Sequence, residues 1–389
     1  MNIKSLLLGS AAALVAVSGA RAADAIIAAE PEPVEYVRVC DAFGTGYFYI
    51  PGTETCLRIH GYLRYDIAGG DLFENTSATG DETYDKLARF SFRTSTASET
   101  ELGTLRTYTE TRFNWDQNGS PTNATFNPVV ANSLNGYTNG STFSVNFAWI
   151  QLGGLRIGKD ESLFSTFTGY AAGVMNDTLA GGYGPFDTNL ISYTYNGGAF
   201  RAAIALEQGD DSLYNSVTDK YTGWGIDDYM PHVVVGLGYD AGMVDLSAVL
   251  AFDTRDNWVS PAATLFERGG WAAKIRADVS INDSASVFAM LMYGENSSGY
   301  TSWGNGLATD ETWSVIAGGS LQVSEKATIN VQGQWAESNT AWSDEWSLVG
   351  NVAYDLVPGL QITPEIAYHD DGSATGGEFG AMLRVQRSF

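Results

Sequence analysis

The sequence predicts an all-β protein, a sixteen-stranded antiparallel transmembrane β-barrel with short turns on one rim and long loops on the other. Three observations carry this. Apolar and polar residues alternate with period two through most of the chain. No apolar run after the first twenty residues is long enough to cross a bilayer as a helix, which takes about 20 residues, so any crossing must be made by strands. Tight glycine turns tend to alternate with longer polar segments, an asymmetry that a closed membrane barrel needs and a soluble sandwich does not.

The N-terminus sets the compartment. Met1 to Ala22 reads as a secretory signal: Lys4 in a basic start, an apolar stretch from Leu6 to Val17, and the small-residue site Ala20-Arg21-Ala22. The apolar stretch is too short for a membrane anchor. Cleavage after Ala22, with Ala23 as the alternative, removes Lys4 and Arg21 and makes an already acidic chain more so. Residues 23–55 then form an N-terminal periplasmic segment, and residues 56–389 the barrel pore. Cys40 and Cys56 both lie in the exported part and are the chain's two cysteines. In an oxidising compartment they are expected to bond, closing a loop whose constraint is worth about 3 kcal/mol in the chain-entropy model. Two free thiols are the alternative. Zinc is disfavoured because no nearby histidine completes four ligands.

Leu57 to Ile67 shows the period most clearly. Leu57, Ile59, Leu63, Tyr65 and Ile67 fall on one face, and Arg58, His60, Tyr62, Arg64 and Asp66 on the other. The pattern returns at 327–335 and 271–280. Strands are predicted at 56–68, 86–96, 103–115, 142–152, 155–158, 189–196, 199–207, 231–240, 243–252, 268–280, 286–294, 312–323, 327–336, 345–356, 359–369 and 378–389. Turns such as Gly153-Gly154, Asn196-Gly197-Gly198, Asp240-Ala241-Gly242 and Val357-Pro358-Gly359 join alternate pairs. Tyr193, Tyr195, Trp313, Trp335, Trp346, Tyr354, Tyr368 and Phe389 lie near strand ends, where barrels carry interfacial aromatic girdles. Pro364 removes a ladder donor inside a strand, so a bulge or gap is expected there.

Composition excludes other classes. The 389 residues include 45 Asp+Glu against 21 Lys+Arg, a net charge of −24, with 44 Gly, 10 Trp, 20 Tyr and 18 Phe. So many aromatics exclude an unfolded acidic tail, and the absence of a basic cluster argues against nucleic acid. Gly236-Leu-Gly238-Tyr-Asp-Ala241 fits a dinucleotide fingerprint but is followed by a turn and strand where a helix is required. His60, His232 and His369 stand far apart, and neither H-E-x-x-H nor G-x-S-x-G occurs, so no enzyme, cofactor or metal centre is expected. The acidic pairs Asp210-Asp211, Asp227-Asp228 and Asp370-Asp371 read as solvated loop charge, with cation bridging to lipopolysaccharide as a secondary reading.

The run Val34 to Tyr65, which includes Cys40-Asp-Ala-Phe-Gly-Thr-Gly-Tyr-Phe-Tyr-Ile-Pro-Gly-Thr-Glu-Thr-Cys56, closely resembles the start of the alphaproteobacterial general porins of the brucella and rhizobium type. Ser98 to Thr104, Phe164 to Tyr170, Ala205 to Gln208, Asp228 to His232, Leu356 to Glu365 and Arg384 to Phe389 resemble later stretches of that family. The resemblance covers the chain after the signal, the long surface loops excepted. It implies a homotrimer in the bacterial outer membrane, in contact with lipid and lipopolysaccharide. Each barrel would pass small hydrophilic solutes and ions, with the third long loop folded into the lumen as a constriction.

Sixteen strands leave a water-filled lumen, so passage depends on hole size and field. The third loop is expected at about 159–187. Its acidic residues Asp160, Glu161, Asp177 and Asp187 would face a basic pore wall of Arg64, Arg112, Lys159, Arg89, Arg201, Lys274 and Arg276, with Arg58, Arg93, Arg106, Arg156 and Arg384 as further candidates. Lys159 has the outward parity of Ile157 and reaches the lumen only if the strand ends or bulges there. About half the arginines are expected to pair along the wall with Glu110, Asp278 or Glu207, because a low-dielectric wall does not tolerate unpaired charge. The loop carboxylates lead to an expected weak cation preference. Two other functions compete: a selective sugar or oligosaccharide channel and a surface adhesin. Lumen-side aromatics such as Tyr62, Tyr108 and Phe288 are too scattered for a sugar track, which favours general diffusion.

Overall fold

The computed structural model describes residues 38–76, 82–118, 138–171, 173–217, 220–304, 307–338, 344–373 and 376–389. The expected signal peptide, its cleavage site and residues 23–37 lie outside the described residues. The architecture below belongs to the compact unit Cys40–Phe389.

Sixteen long strands form one antiparallel barrel. They are β1 (Cys56–Gly69), β2 (Glu82–Thr100), β3 (Gly103–Asn118), β4 (Thr138–Leu152), β5 (Leu155–Glu161), β6 (Asp187–Gly197), β7 (Phe200–Glu207) and β8 (His232–Asp240) in the first half. The second half holds β9 (Val244–Asp253), β10 (Gly270–Asn282), β11 (Ala285–Glu295), β12 (Glu311–Ser324), β13 (Ala327–Ala336), β14 (Glu345–Val357), β15 (Leu360–Asp370) and β16 (Glu378–Ser388). Each pairs with its neighbours in sequence, and β16 returns to β1 from Tyr62↔Ser388 to Gly69↔Ala381, which removes the open edges. All the predicted strands are present. The expected irregularity at Pro364 is a gap in the β14–β15 ladder, whose pairing passes from Asn351↔Glu365 to Tyr354↔Ile362.

A ten-residue strand such as β9 rises about 33 Å, which at the tilt of a barrel spans the roughly 25 Å apolar band. The outward parity supplies that band with Leu63, Ile204, Leu237, Ile275, Leu291 and Ile366, all exposed. Aromatics cap it. On the rim of the long loops Tyr293 stacks on Trp313 at 4.2 Å and Trp346 meets Tyr368 at 4.8 Å. On the rim of the short turns Phe200 meets Tyr239 at 5.7 Å.

Cys40 and Cys56 are bonded to each other and fully buried. The bond ties the segment before the barrel to the first residue of β1, and Phe48–Tyr49 adds a short antiparallel pairing with Cys56 and Leu57. Among the described residues no helix is long and apolar enough to cross a membrane.

Candidate functional site

The site is built by the third long loop, residues 162–186, which turns into the barrel instead of standing on its rim. Its start is fixed by one carboxylate. Ser162 caps the short helix α1 (Leu163–Thr166) by accepting a bond from the Phe164 amide, and its own hydroxyl donates to Glu207 at 2.8 Å. The Leu163 amide donates to the other oxygen of Glu207 at 2.7 Å, and the Tyr300 hydroxyl adds a third bond at 2.9 Å. Glu207 is fully buried at the end of β7, and these three donors satisfy its oxygens and fix the start of the loop.

From there the loop crosses the lumen and is tied to strand after strand. Arg276 donates to the Tyr170 carbonyl, Lys274 to the Tyr183 carbonyl, Gln332 to the Asp177 carbonyl, Gln334 to the Gly181 carbonyl and Asn351 to the Gly173 carbonyl. A second buried carboxylate takes the tip. Glu365 on β15 accepts from the Met175 amide at 2.6 Å, the Asn176 amide at 3.0 Å and the Asn176 side chain at 2.7 Å. The loop between β11 and β12 closes over it: the Gly182 amide donates to the Ser302 carbonyl and the Gly184 amide to the Ser302 hydroxyl. Gly181 allows this approach, since it holds φ +91° and a Cβ there would lie 2.8 Å from Trp303 Cα.

Behind the loop the lumen is filled. Leu163, Phe164 and Tyr183 from the loop, with Tyr300 and Trp303 above, pack on Val234, Val249, Ala251, Ala272, Met290, Met292 and Ile316. These wall residues have the inward parity of β8 to β12, where the alternation rule expects polar side chains. Two faces of the sheet are apolar there because one belongs to the exposed outward band and the other meets the loop.

The predicted residues separate accordingly. Lys274 is 1% exposed; its ammonium sits 4.7 Å over Phe164 and 5.5 Å over Tyr183, so it anchors the loop and does not face the pore. Arg276 is buried between Asp278, which it grips with two bonds, and the loop. Arg201 makes a bidentate pair with Asp245. Asp160, Glu161 and Asp187, expected in the loop, stand at the ends of β5 and β6, because pairing continues through Lys159↔Asn189, Asp160↔Thr188 and Glu161↔Asp187. Asp160 is taken up by Arg156 at 2.6 Å, and Lys159 pairs with Asp187 and the Asn146 carbonyl. Glu161 accepts from the Tyr170 hydroxyl. Asp177 is within the loop, where burial pushes its carboxyl up from the ordinary Asp range against a bond from the Tyr183 hydroxyl.

The remaining arginines gather on the opposite wall, on the inward parity of β1, β2, β3 and β16. Arg93 and Arg112 share Glu110, at 3.0 and 2.7 Å, and Arg384 pairs with Asp66 at 2.7 Å. Arg64 donates to Gln386 and Arg89 to Asn114, both amides. Among the described residues no carboxylate lies within ion-pair distance of Arg58, Arg64, Arg89 or Arg106. The expected pairing with Glu110 and Asp278 is present; Glu207 is engaged by the loop instead. Sequence reasoning passed over Glu365 and the docking role of Glu207. The one available signal was an acid standing alone after Ala203 and Ala205 on an apolar inward face.

Comparisons with known proteins agree with the barrel fold. A family profile described as the porin subfamily matches residues 24–385. Porin Omp2b of Brucella suis biovar 1 (strain 1330) is 47% identical over 406 aligned positions, covering 100% of both chains, and Porin Omp2b of Brucella melitensis biotype 1 is equally similar. Among solved structures, the outer membrane channel DcaP of Acinetobacter baumannii aligns with TM-score 0.63 at 17% identity, covering 88% of this chain and 99% of that one. An anion-selective porin from Comamonas acidovorans aligns with TM-score 0.56 at 15% identity, covering 86% and 100%. At these identities the two structures speak for the fold alone.

Proposed function

Since the chain belongs to the porin subfamily and is an outer-membrane channel for passive diffusion of small hydrophilic solutes, we propose that passage is set where the edge of the third loop faces the arginine wall. The observation that carries this is the docking of the loop across the lumen by Glu207 and Glu365, on β7 and β15, which among the described residues leaves the wall of β1 to β4 without a hydrogen bond to the loop. In this reading Arg64, Arg89 and Arg112, with Arg58, Arg93, Arg106 and Arg384, form the cationic side, and Glu161 and Asp177 the acidic side. Asp160, Asp187, Lys159, Arg201, Lys274 and Arg276 are neutralised or covered and hold the frame.

This changes the expected selectivity. Asp160 and Asp187 are paired, whereas Arg64 and Arg89 are held only by amides, so the local field favours anions. At 0.1 M salt fields decay within about 10 Å, and the outer acidic loops contribute little at that depth. The test is a reversal potential across a planar bilayer with a tenfold KCl gradient. A weak anion preference is expected, and a clear cation preference would refute the assignment. We further propose export with cleavage after Ala22, assembly as a homotrimer, and contact of the outward band with lipid and lipopolysaccharide. A heat-modifiable band at three times the monomer mass in unheated detergent extracts tests the assembly.

A further inference from the structure

We propose that the open half of the lumen contains a binding subsite for planar aromatic carboxylates, centred on Tyr108 and lying on the turn side of the constriction. The proposal rests on the channel reading above. Tyr108 stands four residues before Arg112 on β3, about 13 Å along the strand toward the turn rim. Its ring meets Phe147 at 5.6 Å, Trp149 at 5.5 Å and His60 at 6.3 Å. All are half-buried, and none belongs to the buried apolar cluster behind the third loop.

A bulge assembles the cluster. On β4 the register steps from Glu110↔Phe147 to Thr111↔Val145, leaving Asn146 unpaired. One extra residue reverses parity, so Val145 points outward with Phe143 while Phe147 and Trp149 join Tyr108 inside.

The rings are held in advance of any ligand. The Tyr108 hydroxyl donates to Glu110, itself fixed by Ser91, Arg93 and Arg112. Arg156 lies 4.1 Å over one face of Trp149 and is pinned by two bonds to Gln151 and one to Asp160. Cations surround the cluster: Arg93 and Arg112 are electrostatic neighbours of Tyr108, and exposed Arg106 is the next inward residue on the same strand. Tyr62 makes the contrast. Its ring is already covered by the guanidiniums of Arg64 and Arg93, at 4.7 and 5.1 Å, and offers nothing to a solute. Rigid, half-exposed aromatic rings beside incompletely neutralised arginines fit a flat ring bearing a carboxylate, whose ring stacks while its charge is met by the guanidiniums.

The test is single-channel KCl conductance titrated with benzoate, cyclohexanecarboxylate and acetate from the side of the short turns. Benzoate is expected to reduce current at a concentration at least about threefold lower than cyclohexanecarboxylate, the usual worth of one aromatic contact. That advantage should vanish in Tyr108→Leu and in Trp149→Leu. Arg106→Gln should weaken benzoate and cyclohexanecarboxylate alike while keeping the ratio between them. Each variant is first required to give a stable open channel in KCl. Equal block by benzoate and cyclohexanecarboxylate, or an aromatic advantage that survives both leucine variants, would overturn the subsite while leaving the channel intact. Absence of KCl conductance in the wild type would instead overturn the channel reading.

Discussion

Replacing Glu365 by Gln should free the tip of the third loop. In the wild type one carboxylate oxygen accepts from the Met175 amide and Asn351, and the other from the Asn176 amide and side chain. Glutamine keeps one acceptor oxygen, so whichever way its amide turns, two of these four donors face an NH2 group. Asn351 stands on β14, so the loop loses one bond in one orientation and two in the other. Bonds to a charged acceptor contribute about 1.5–3 kcal/mol each, which puts the gross loss of docking at about 1.5–6 kcal/mol. Water in the lumen can solvate the released groups, which brings the net to about 1–4 kcal/mol. At 1.4 kcal/mol per decade this raises the ratio of undocked to docked tip roughly 5- to 700-fold. The base of the loop stays anchored by Glu207, Lys274 and Arg276, so the barrel should fold normally. The readout is planar-bilayer recording. The variant should show added open-channel noise or substates, and liposome swelling should report an altered exclusion limit. Glu378→Gln at the outer rim removes the same charge without touching the loop and is the control. If E365Q matches the wild type in noise, mean conductance and exclusion limit, the latch as argued is wrong.

Three further outcomes are expected. Cys40→Ser with Cys56→Ser should lower heat stability by about 3 kcal/mol of chain constraint, read as an earlier loss of the folded band on gels, while conductance stays at the wild-type value. Lys274→Met should leave conductance and selectivity unchanged and hold or raise heat stability, because it exchanges a buried amine with no carboxylate partner among the described residues for an apolar side chain of similar length; a large selectivity shift would place Lys274 in the pore after all. Burial raises the Asp177 carboxyl, so on acidification it takes up a proton above the ordinary Asp value of about 3.9 and the loop loses a negative charge. Cation permeability should therefore fall as pH drops through that range, and Asp177→Asn should remove the step from a reversal-potential titration.

The outward face was legible in the sequence because one apolar band runs round the barrel and imposes one rule on every strand. Ile275 and Leu291 obey it, and so do the aromatics of both rims. The inward face was less legible because two environments share it. Parity placed Lys274 and Arg276 on the lumen side correctly, but it carries no information on which part of the lumen a loop from elsewhere in the chain will occupy. Residues 159–161 were misplaced for a related reason: Lys159-Asp-Glu161 has the charge of a loop, and only its pairing with residues 187–189 makes it strand. Phe147 and Trp149 were missed because a single unpaired residue, Asn146, inverts the count.

The filled half of the lumen means that this barrel obeys two sets of substitution rules on one surface. Around Arg64 and Arg89 a side chain answers to water, and exchanges of size or polarity should alter flux while leaving the protein intact. At Val234, Met290, Met292 and Ile316 the same exchanges open a cavity or bury an unsatisfied group, with losses of about 2–5 kcal/mol for a truncation to alanine. A saturation scan scored separately for surface abundance and for solute uptake should therefore split inward positions into two populations. The dividing line would follow the docked loop, drawing its footprint on the wall from phenotype alone.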